Sequence, residues 1–391
     1  MTPDFEAAAF AESVRRDPPK APQGWEPGVA WDGRKGTVAL STDGEPDWSE
    51  VLLRANLDPT TIEVVPGTVQ VRTWDAAIGN GEVRTMRYYR AEVRGIRANA
   101  PDMDELLALV RKRAPRRPAT VPTGEQSYVL VSSDWQLGKR GTPAIVDRIV
   151  RAVDEAAARL RILRKRPGAR IGSITLPFLG DLGEACDGHY AMQPFEVELD
   201  YREQRRLGRR LVWYIVDTFC PLAERLVVPV VGGNHGEMRK DGKAFTTFGD
   251  NQDVEMVEGV AEACAANPGR YGHVAFAIPG NELTLTLDVG GIITGFAHGH
   301  QARKGPTAQQ RVATWWAGQA MGMRPVGDAR ILYTGHSHHL SIVEHGPRIH
   351  VQAPTMDNGS QWWDETVGLP SRAGLLTVVQ GPDGLRDWEV L

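Results

Sequence analysis

The sequence predicts an α/β (α+β) protein: a four-layer αββα sandwich of two packed mixed sheets, with a small N-terminal α+β accessory domain. From residue 124 onward, apolar strands first alternate with helices and then dominate, which suits two sheets packed between helices. Before that point, the segment RKRAPRRPATVPT (111–123) combines charge with three prolines, a composition typical of a linker. We therefore divide the chain into an accessory module with its Pro/Arg-rich linker, 1–118, and a larger domain, 124–391.

Regular elements are also expected before the linker. Asp47 and Glu50 resemble a capping box that opens a short helix, 48–55. Alternating apolar residues at 69–73 and 83–97 predict strands, and 102–110 predicts a helix. Core packing is the favoured interpretation of four tryptophans, with an aromatic binding face as the alternative: Trp25, Trp31, Trp48 and Trp74.

The larger domain shows a clear succession of elements. Helical periodicity predicts helices at 145–163 and 201–219. Short apolar or alternating runs predict strands at 128–132, 171–179, 226–231, 283–288, 292–297, 331–334, 348–352 and 375–379. Pro177 fits poorly in the second of these strands because proline cannot donate to a ladder.

Composition limits the classes of function. The chain of 391 residues has a net charge of −4, so its overall charge indicates neither a nucleic-acid nor a membrane partner. The N-terminus lacks the features of a signal peptide, and no apolar run reaches membrane-spanning length. Three widely spaced cysteines favour reduced thiols. We expect a soluble, cytoplasmic protein without a membrane partner.

Five segments share one layout, in which an apolar strand ends in a short turn of potential metal ligands. These turns are SSDWQ (Asp134, Gln136), LGDLGE (Asp181, Glu184), GGNHGE (Asn234, His235, Glu237), FAHGH (His298, His300) and TGHSHH (His336, His338, His339). Because ligands of α/β proteins gather at the carboxyl ends of strands, the five turns predict one metal-binding pocket.

These motifs resemble the calcineurin-like metallophosphoesterase family, over about residues 129–351 and in the family order. The resemblance implies a dinuclear metal centre, with one ion held by Asp134, Gln136, Asp181 and His338. The other ion would be held by Asp181, Asn234, His298 and His336, so that Asp181 bridges the pair. It also implies that His235 protonates the leaving oxygen or stabilises the transition state without binding metal. Mn²⁺ is the expected ion, and Mg²⁺, Fe²⁺, Zn²⁺ and Ni²⁺ remain open alternatives.

Two positions depart from the family pattern. Gln136 stands where the family has a histidine, which should weaken the first metal position and favour harder ions, or remove this ligand altogether. Gly236 separates His235 from Glu237, so no catalytic role is assigned to that acid. Glu184 is expected to support the site through hydrogen bonds instead of binding metal.

The remaining histidines and the basic segments are ambiguous. His273 and His345 are expected to be ordinary structural residues, whereas His189, His300 and His339 are open as pocket residues. Arg-rich runs at 111–117, 159–166 and 202–210 favour solvated helix faces or a charged linker, with phosphate-backbone binding as the alternative. Two tryptophan pairs suit either stacking on bases or packing: Trp315 with Trp316, and Trp362 with Trp363.

The resulting hypothesis is divalent-metal-dependent hydrolysis of phosphate esters, with phosphodiesters favoured and DNA or a nucleotide as candidate substrates. Phosphomonoesters and phosphoproteins are the alternative substrates. An alternative function outside the enzymes is also open. Because Gln136 stands at a ligand position, the domain could be a catalytically weak fold that binds nucleic acid or protein. The family includes homodimers, so a homodimer is an open alternative.

Overall fold

The computed structural model describes residues 27–32, 35–42, 44–77, 83–95, 102–111, 124–191, 193–357, 359 and 372–391. The chain divides into two compact units, Met1–Ala100 and Pro101–Leu391. None of the described helices is long and apolar enough to cross a bilayer. Residues 112–123 of the arginine-rich linker and the Trp362–Trp363 pair lie outside the described residues.

Over its described residues, the first unit is a five-stranded antiparallel sheet with one helix. Its strands are β1 Gly28–Trp31, β2 Lys35–Ser41, β3 Ile62–Val64, β4 Gln70–Ala77 and β5 Val83–Gly95, in the order β1-β2-β5-β3 with β4 also on β5. Helix α1, Trp48–Arg54, begins at the predicted cap, where the Asp47 side chain accepts the backbone N–H groups of Ser49 and Glu50. Trp31 and Trp48 pack against the small core around Val38 and Leu52, which supports the core-packing interpretation for these two. Trp25 and the side chain of Trp74 lie outside the described part of the chain.

The second unit contains two mixed sheets, a short β-ribbon and seven helices among its described residues. The helices are α2 Met103–Arg111, α3 Thr142–Leu163, α4 Gln193–Glu196, α5 Tyr201–Phe219, α6 Gln252–Ala265, α7 Pro268–Tyr271 and α8 Ala308–Met321. The strands are β6 Gln126–Val131, β7 Ile171–Thr175, β8 Arg225–Pro229, β9 Arg239–Lys240, β10 Lys243–Ala244, β11 Val274–Ala277, β12 Thr284–Val289, β13 Ile292–Ala297, β14 Ile331–Thr334, β15 Ser341–His345, β16 Arg348–Gln352, β17 Leu376–Gly381 and β18 Gly384–Val390.

Both large sheets are mixed: the six-stranded sheet is antiparallel only at its β17-β18 side, and the five-stranded sheet is antiparallel at both edges. The six-stranded sheet runs β11-β8-β7-β6-β17-β18, with β11, β8, β7 and β6 parallel. The five-stranded sheet runs β12-β13-β14-β16-β15, with β13, β14 and β16 parallel. The mixed α/β class predicted from the sequence is thereby confirmed.

Three clusters of buried side chains organise the second unit. One contains Tyr128 and Leu130 of β6 and Ile171 and Ile174 of β7, together with helices α2, α3, α5 and α6. A second joins the two sheets through Val129, Leu376, Phe296 and Tyr333. A third covers the five-stranded sheet with Val312 and Trp316 of α8. This distribution supports the four-layer order, which stays a prediction.

The division of the chain differs from the expected boundary at residue 118. Leu106, Leu107 and Val110 of α2 lie in the core of the second unit, so the units divide after Ala100. The sequence favours the later boundary because the proline-rich segment after α2 is the stronger local signal. The roles expected of the two segments remain predictions.

Candidate metal centre

Five strand ends of the second unit carry the predicted site residues. Asp134, Asp181 and Asn234 follow β6, β7 and β8, which are parallel neighbours in one sheet. His298 and His336 follow β13 and β14, which are parallel neighbours in the other sheet. The turns that follow the parallel strands of the two sheets therefore converge on one place.

The turns themselves adopt an unusual backbone conformation. Positive φ angles of 47° to 70° occur at five of the predicted ligands, although none is glycine: Asp134, Gln136, Asp181, His336 and His338. A left-handed conformation costs roughly 1–3 kcal/mol for such residues and persists only where the surroundings impose it. The concentration of this strain in one set of residues indicates a functional site.

The central group is built on the carboxylate of Asp181. Its Oδ2 lies 3.0 Å from Nε2 of His298, and its Oδ1 accepts the backbone N–H of His235 at 2.8 Å. Nε2 of His298 also lies 3.2 Å from Oδ1 of Asn234. Asp181, His298 and His336 offer ligand atoms within 4.8 Å of one another. Four of the residues predicted from the sequence thus meet in one cluster.

A second group lies beside Asp134. Oδ1 of Asp134 is 3.3 Å from Nε2 of His338, and Oδ2 of Asp134 accepts the backbone N–H of His336 at 3.0 Å. The Gln136 amide nitrogen is 3.4 Å from Nε2 of His338. The structure therefore places the predicted residues of the first metal position together as well.

The hydrogen-bond pattern of His298 tests whether the residues fit a cation. Nδ1 of this ring lies 2.7 Å from the carbonyl oxygen of Leu179, which can only accept, so Nδ1 carries the proton. In the neutral ring, Nε2 then presents a lone pair towards the oxygens of Asp181 and Asn234. Three acceptor atoms, from Asp181, Asn234 and His298, then converge with no donor hydrogen between them. A bound cation would accept the lone pairs of all three. The fixed tautomer is the one that a ligating histidine requires.

Electrostatics at the centre agree with this interpretation. Burial alone would raise the pKa of Asp134 and Asp181, but the neighbouring imidazoles, His338 and His298 respectively, outweigh it and lower both. Burial alone would lower the pKa of His298, but Asp181 outweighs it and raises the pKa to about 9. When no metal ion is bound, a proton on His298 therefore supplies the positive charge that stabilises the ionised carboxylates of Asp134 and Asp181.

His235 sits next to this centre with a fixed ring. Its Nδ1 donates to the carbonyl oxygen of Glu184 at 2.9 Å and lies 3.4 Å from Oε2 of the same residue. His189 stacks on it with ring centroids 4.4 Å apart and planes inclined by 5°. Burial would lower the pKa of His235, but Asp181 and Glu184 outweigh it and raise the pKa to about 10. With Nδ1 engaged, Nε2 is the nitrogen left for a substrate.

Three residues of the site were not identified from the sequence. Asp253 accepts the backbone N–H groups of Asp181 and Gly233 at 2.8 and 2.9 Å, and so holds two ligand turns together. Lys139 and Asp357 form a buried ion pair, 2.7 Å long, next to Gln136. The available signal for Asp253 was the Asn251 N-cap, which marks the start of helix α6, the first helix after the third motif.

Two of the remaining histidines, His300 and His273, have different surroundings. His300 lies at the site, with its ring centroid 5.4 Å from that of His298 and its Nε2 3.4 Å from Glu237. Glu237 also pairs with Arg239 at 2.8 Å, so it supports the rim of the pocket. His273 instead bonds to the carbonyl oxygen of Cys220 at 2.8 Å, in a structural role.

The arginine-rich helix and the tryptophan pair have structural partners. On α5, Arg209 lies 3.3 Å from Glu255 of α6, and Arg159 of α3 pairs with Glu389. Trp316 is buried and its Nε1 donates to the carbonyl oxygen of Val326 at 2.8 Å. These contacts favour the structural interpretation of both features.

Comparisons with known proteins add a likeness at the level of fold. No protein-family model and no curated protein matches the chain. A Vps29 variant from Entamoeba histolytica is 16% identical with a TM-score of 0.31, and the match covers 68% of this chain and 99% of that one. A predicted phosphoesterase from Streptococcus pneumoniae is 15% identical with a TM-score of 0.28, covering 65% of this chain and 83% of that one. An archaeal phosphodiesterase is 10% identical with a TM-score of 0.29, covering 68% and 99%.

The three neighbours include a predicted phosphoesterase and a phosphodiesterase. At such TM-scores they support no inference about activity or about individual residues. The function is therefore inferred from the site geometry.

Proposed function

We propose that the chain is a divalent-metal-dependent phosphoesterase that acts on phosphodiesters. The observation that carries this proposal is the convergence of Asp181, Asn234 and His298 as acceptors around a common point, with His336 beside them. Such a donor set of oxygen and imidazole nitrogen suits divalent ions such as Mn²⁺.

The residues that would hold the ions divide as the motifs predict. Asp181, Asn234, His298 and His336 form one position, and Asp134, Asp181 and His338, with Gln136 next to them, form the other. When bound, a pair of divalent ions supplies an activated water and neutralises the phosphate oxygens. Asp181 would be shared by the two positions, because a carboxylate has two oxygens and each could take one ion.

His235 is the proposed proton donor to the leaving oxygen. The carbonyl oxygen of Glu184 fixes Nδ1 as a donor, and the stacked ring of His189 limits rotation. Nε2 is then free to hold a proton at the substrate side of the ring. This is a geometry for general acid catalysis beside a metal centre.

A diester is the favoured substrate because of the charge at the rim. Among the residues that the structure describes there, Arg239 is already paired with Glu237 at 2.8 Å. A monoanionic diester needs less compensating charge than a dianionic monoester. DNA or a nucleotide diester fits this class.

The test is a substrate screen in Mn²⁺ with the wild type and His235→Ala. The substrates are bis-p-nitrophenyl phosphate, p-nitrophenyl phosphate, cyclic nucleotides, and single- and double-stranded DNA. We expect turnover of diesters by the wild type and a loss of about 100-fold or more in His235→Ala, with bound metal unchanged. A wild type that binds Mn²⁺ and hydrolyses none of these esters would contradict the proposal.

A binding module is the second candidate, favoured by one observation. Gln136 presents its amide nitrogen towards His338, which weakens one of the two metal positions. A protein that hydrolyses no ester but binds DNA with a steep salt dependence would support this alternative.

A further inference from the structure

Lys139 contacts the residue that departs from the metallophosphoesterase pattern. The backbone N–H of Lys139 donates to the carbonyl oxygen of Gln136 at 3.1 Å, a tight turn that brings its side chain back to the same residue. Nζ of Lys139 lies 3.4 Å from Oε1 of Gln136, while Nε2 of Gln136 lies 3.4 Å from Nε2 of His338. The amide of Gln136 thus lies between an ammonium group and a predicted metal ligand.

The ammonium group decides the orientation of this amide. Lysine has only donors, so the amide atom that faces it must be the oxygen. The NH₂ group then faces His338 and the first metal position. An amide nitrogen with its two hydrogens does not coordinate a cation, so Gln136 is not a ligand while Lys139 is charged and in place.

Asp357 holds Lys139 in this position. Their ion pair is 2.7 Å long, and the side chains are only 13% and 1% exposed. The backbone N–H of Asp357 donates to the carbonyl oxygen of Asp134 at 3.2 Å, which ties the pair to the first ligand turn. Since breaking a buried pair leaves an uncompensated charge, the arrangement is expected to be persistent.

We propose that the Lys139–Asp357 pair makes the two metal positions unequal, an inference that rests on the proposed metal-dependent function. The position at Asp181, Asn234, His298 and His336 binds the first ion tightly. The position at Asp134 and His338 lacks the Gln136 oxygen, because the amide turns its NH₂ group towards His338. The second ion is therefore bound more weakly and is exchanged more readily.

The experiment is a double-mutant cycle on Mn²⁺ binding, read by calorimetry and by metal content after equilibrium dialysis. The wild type is expected to bind one ion tightly and a second about 10-fold or more weakly. Lys139→Met combined with Asp357→Asn removes both charges without leaving one unpaired and frees the amide to turn. This variant should bind the second ion about 10-fold more tightly. Lys165→Met, at an exposed lysine after α3, is the matched control and should behave as the wild type.

Gln136→Leu completes the cycle and keeps the test decisive if the double variant folds poorly. In the wild-type background, Gln136→Leu should leave the affinities for both Mn²⁺ ions unchanged. Added to the double variant, it should abolish the gain in affinity for the second ion. Two ions bound with equal affinity by the wild type, or a weaker second ion in Gln136→Leu alone, would overturn this inference and leave the proposed function standing. A wild type that binds no Mn²⁺ would overturn both.

Discussion

The carboxylate of Asp253 lies directly beneath the backbone of Asp181, whose N–H it accepts at 2.8 Å. It also accepts the N–H groups of Leu182 at 2.9 Å and Gly233 at 2.9 Å, and Gly183 N lies 3.5 Å away. Asp253 is fully buried at the start of helix α6. Two turns that carry predicted ligands are therefore held in place by one side chain that binds no metal itself.

Asp253→Ala is expected to weaken both the fold and the metal centre. The substitution leaves buried N–H groups without an acceptor, at a cost of about 3 kcal/mol in the free energy of unfolding. Mn²⁺ affinity should fall with it, because the turn of Asp181 loses its support. The measurements are chemical denaturation and Mn²⁺ calorimetry, with Asp250→Ala, an exposed acid three residues earlier, as the control. Unchanged stability and affinity would show that Asp253 is dispensable.

Glu184→Gln is expected to lower turnover while metal content stays constant. Glu184 accepts from the ring of His235 through its carbonyl oxygen, and its Oε2 lies 3.4 Å from the same ring. Loss of this charge should reduce kcat about 10-fold or more with little effect on KM, since His235 is proposed to act on the leaving group. Glu196→Gln is the matched control, because Glu196 shares the Tyr190 hydroxyl with Glu184. Loss of bound Mn²⁺ in Glu184→Gln would instead indicate a ligand.

Gly233→Ala is expected to disrupt the centre by a steric clash. A Cβ at this position would lie 2.0 Å from Oδ1 and 2.3 Å from the backbone nitrogen of Asp181, and neither atom can move without displacing the ligand turn. We expect loss of Mn²⁺ binding and of turnover in a protein with a lower unfolding midpoint. Gly318→Ala, where a Cβ would meet nothing within 4 Å, should be neutral or stabilising. Normal metal binding by Gly233→Ala would contradict the described packing of the two turns.

His350 is expected to make stability depend on pH. Burial lowers the pKa of His350 to about 4 from its ordinary 6.5, and its Nε2 is 2.8 Å from the Thr334 hydroxyl. Between these values the unfolded chain binds the proton and the folded chain does not, so stability is retained above pH 6.5 and declines as the pH falls towards 4. The full loss is about 3 kcal/mol.

His350→Asn removes this titration, so it should reduce the loss of stability between pH 6.5 and 4 relative to the wild type. Urea denaturation at pH 8, 6 and 4.5 measures the difference. Parallel pH profiles of the two proteins would contradict the assignment.

Much of the architecture was accessible from local patterns. Helix α5 begins and ends at the predicted residues, Tyr201 and Phe219, because Asp200 and Glu203 form a capping box and the apolar residues repeat at helical spacing. Strands such as Ile292–Ala297 were predicted at the observed bounds, since a short apolar run followed by a ligand turn is a local signal. Strand β7 ends earlier than predicted, at Thr175, in keeping with the awkward Pro177.

The residues that hold the ligand turns in place could not be predicted from the sequence in the same way. Asp253 acts on Asp181 across 72 residues, and Lys139 pairs with Asp357 across 218. An isolated acid or lysine carries no sequence pattern that reveals such a partner. The same holds for helix α2, because its assignment to one of the two units depends on the core in which Leu106 and Val110 are buried. Ligand turns can be recognised from motifs, whereas the residues that hold them depend on the tertiary fold.

The most direct test of the central claim is a crystal grown with Mn²⁺ and measured at a wavelength where manganese scatters anomalously. We expect an anomalous peak within coordination distance of Asp181 Oδ2, Asn234 Oδ1 and His298 Nε2, with His336 completing the position. A weaker peak is expected beside Asp134 and His338. Manganese bound elsewhere on the protein, with no peak at Asp181, would contradict the assignment of these residues to a metal centre.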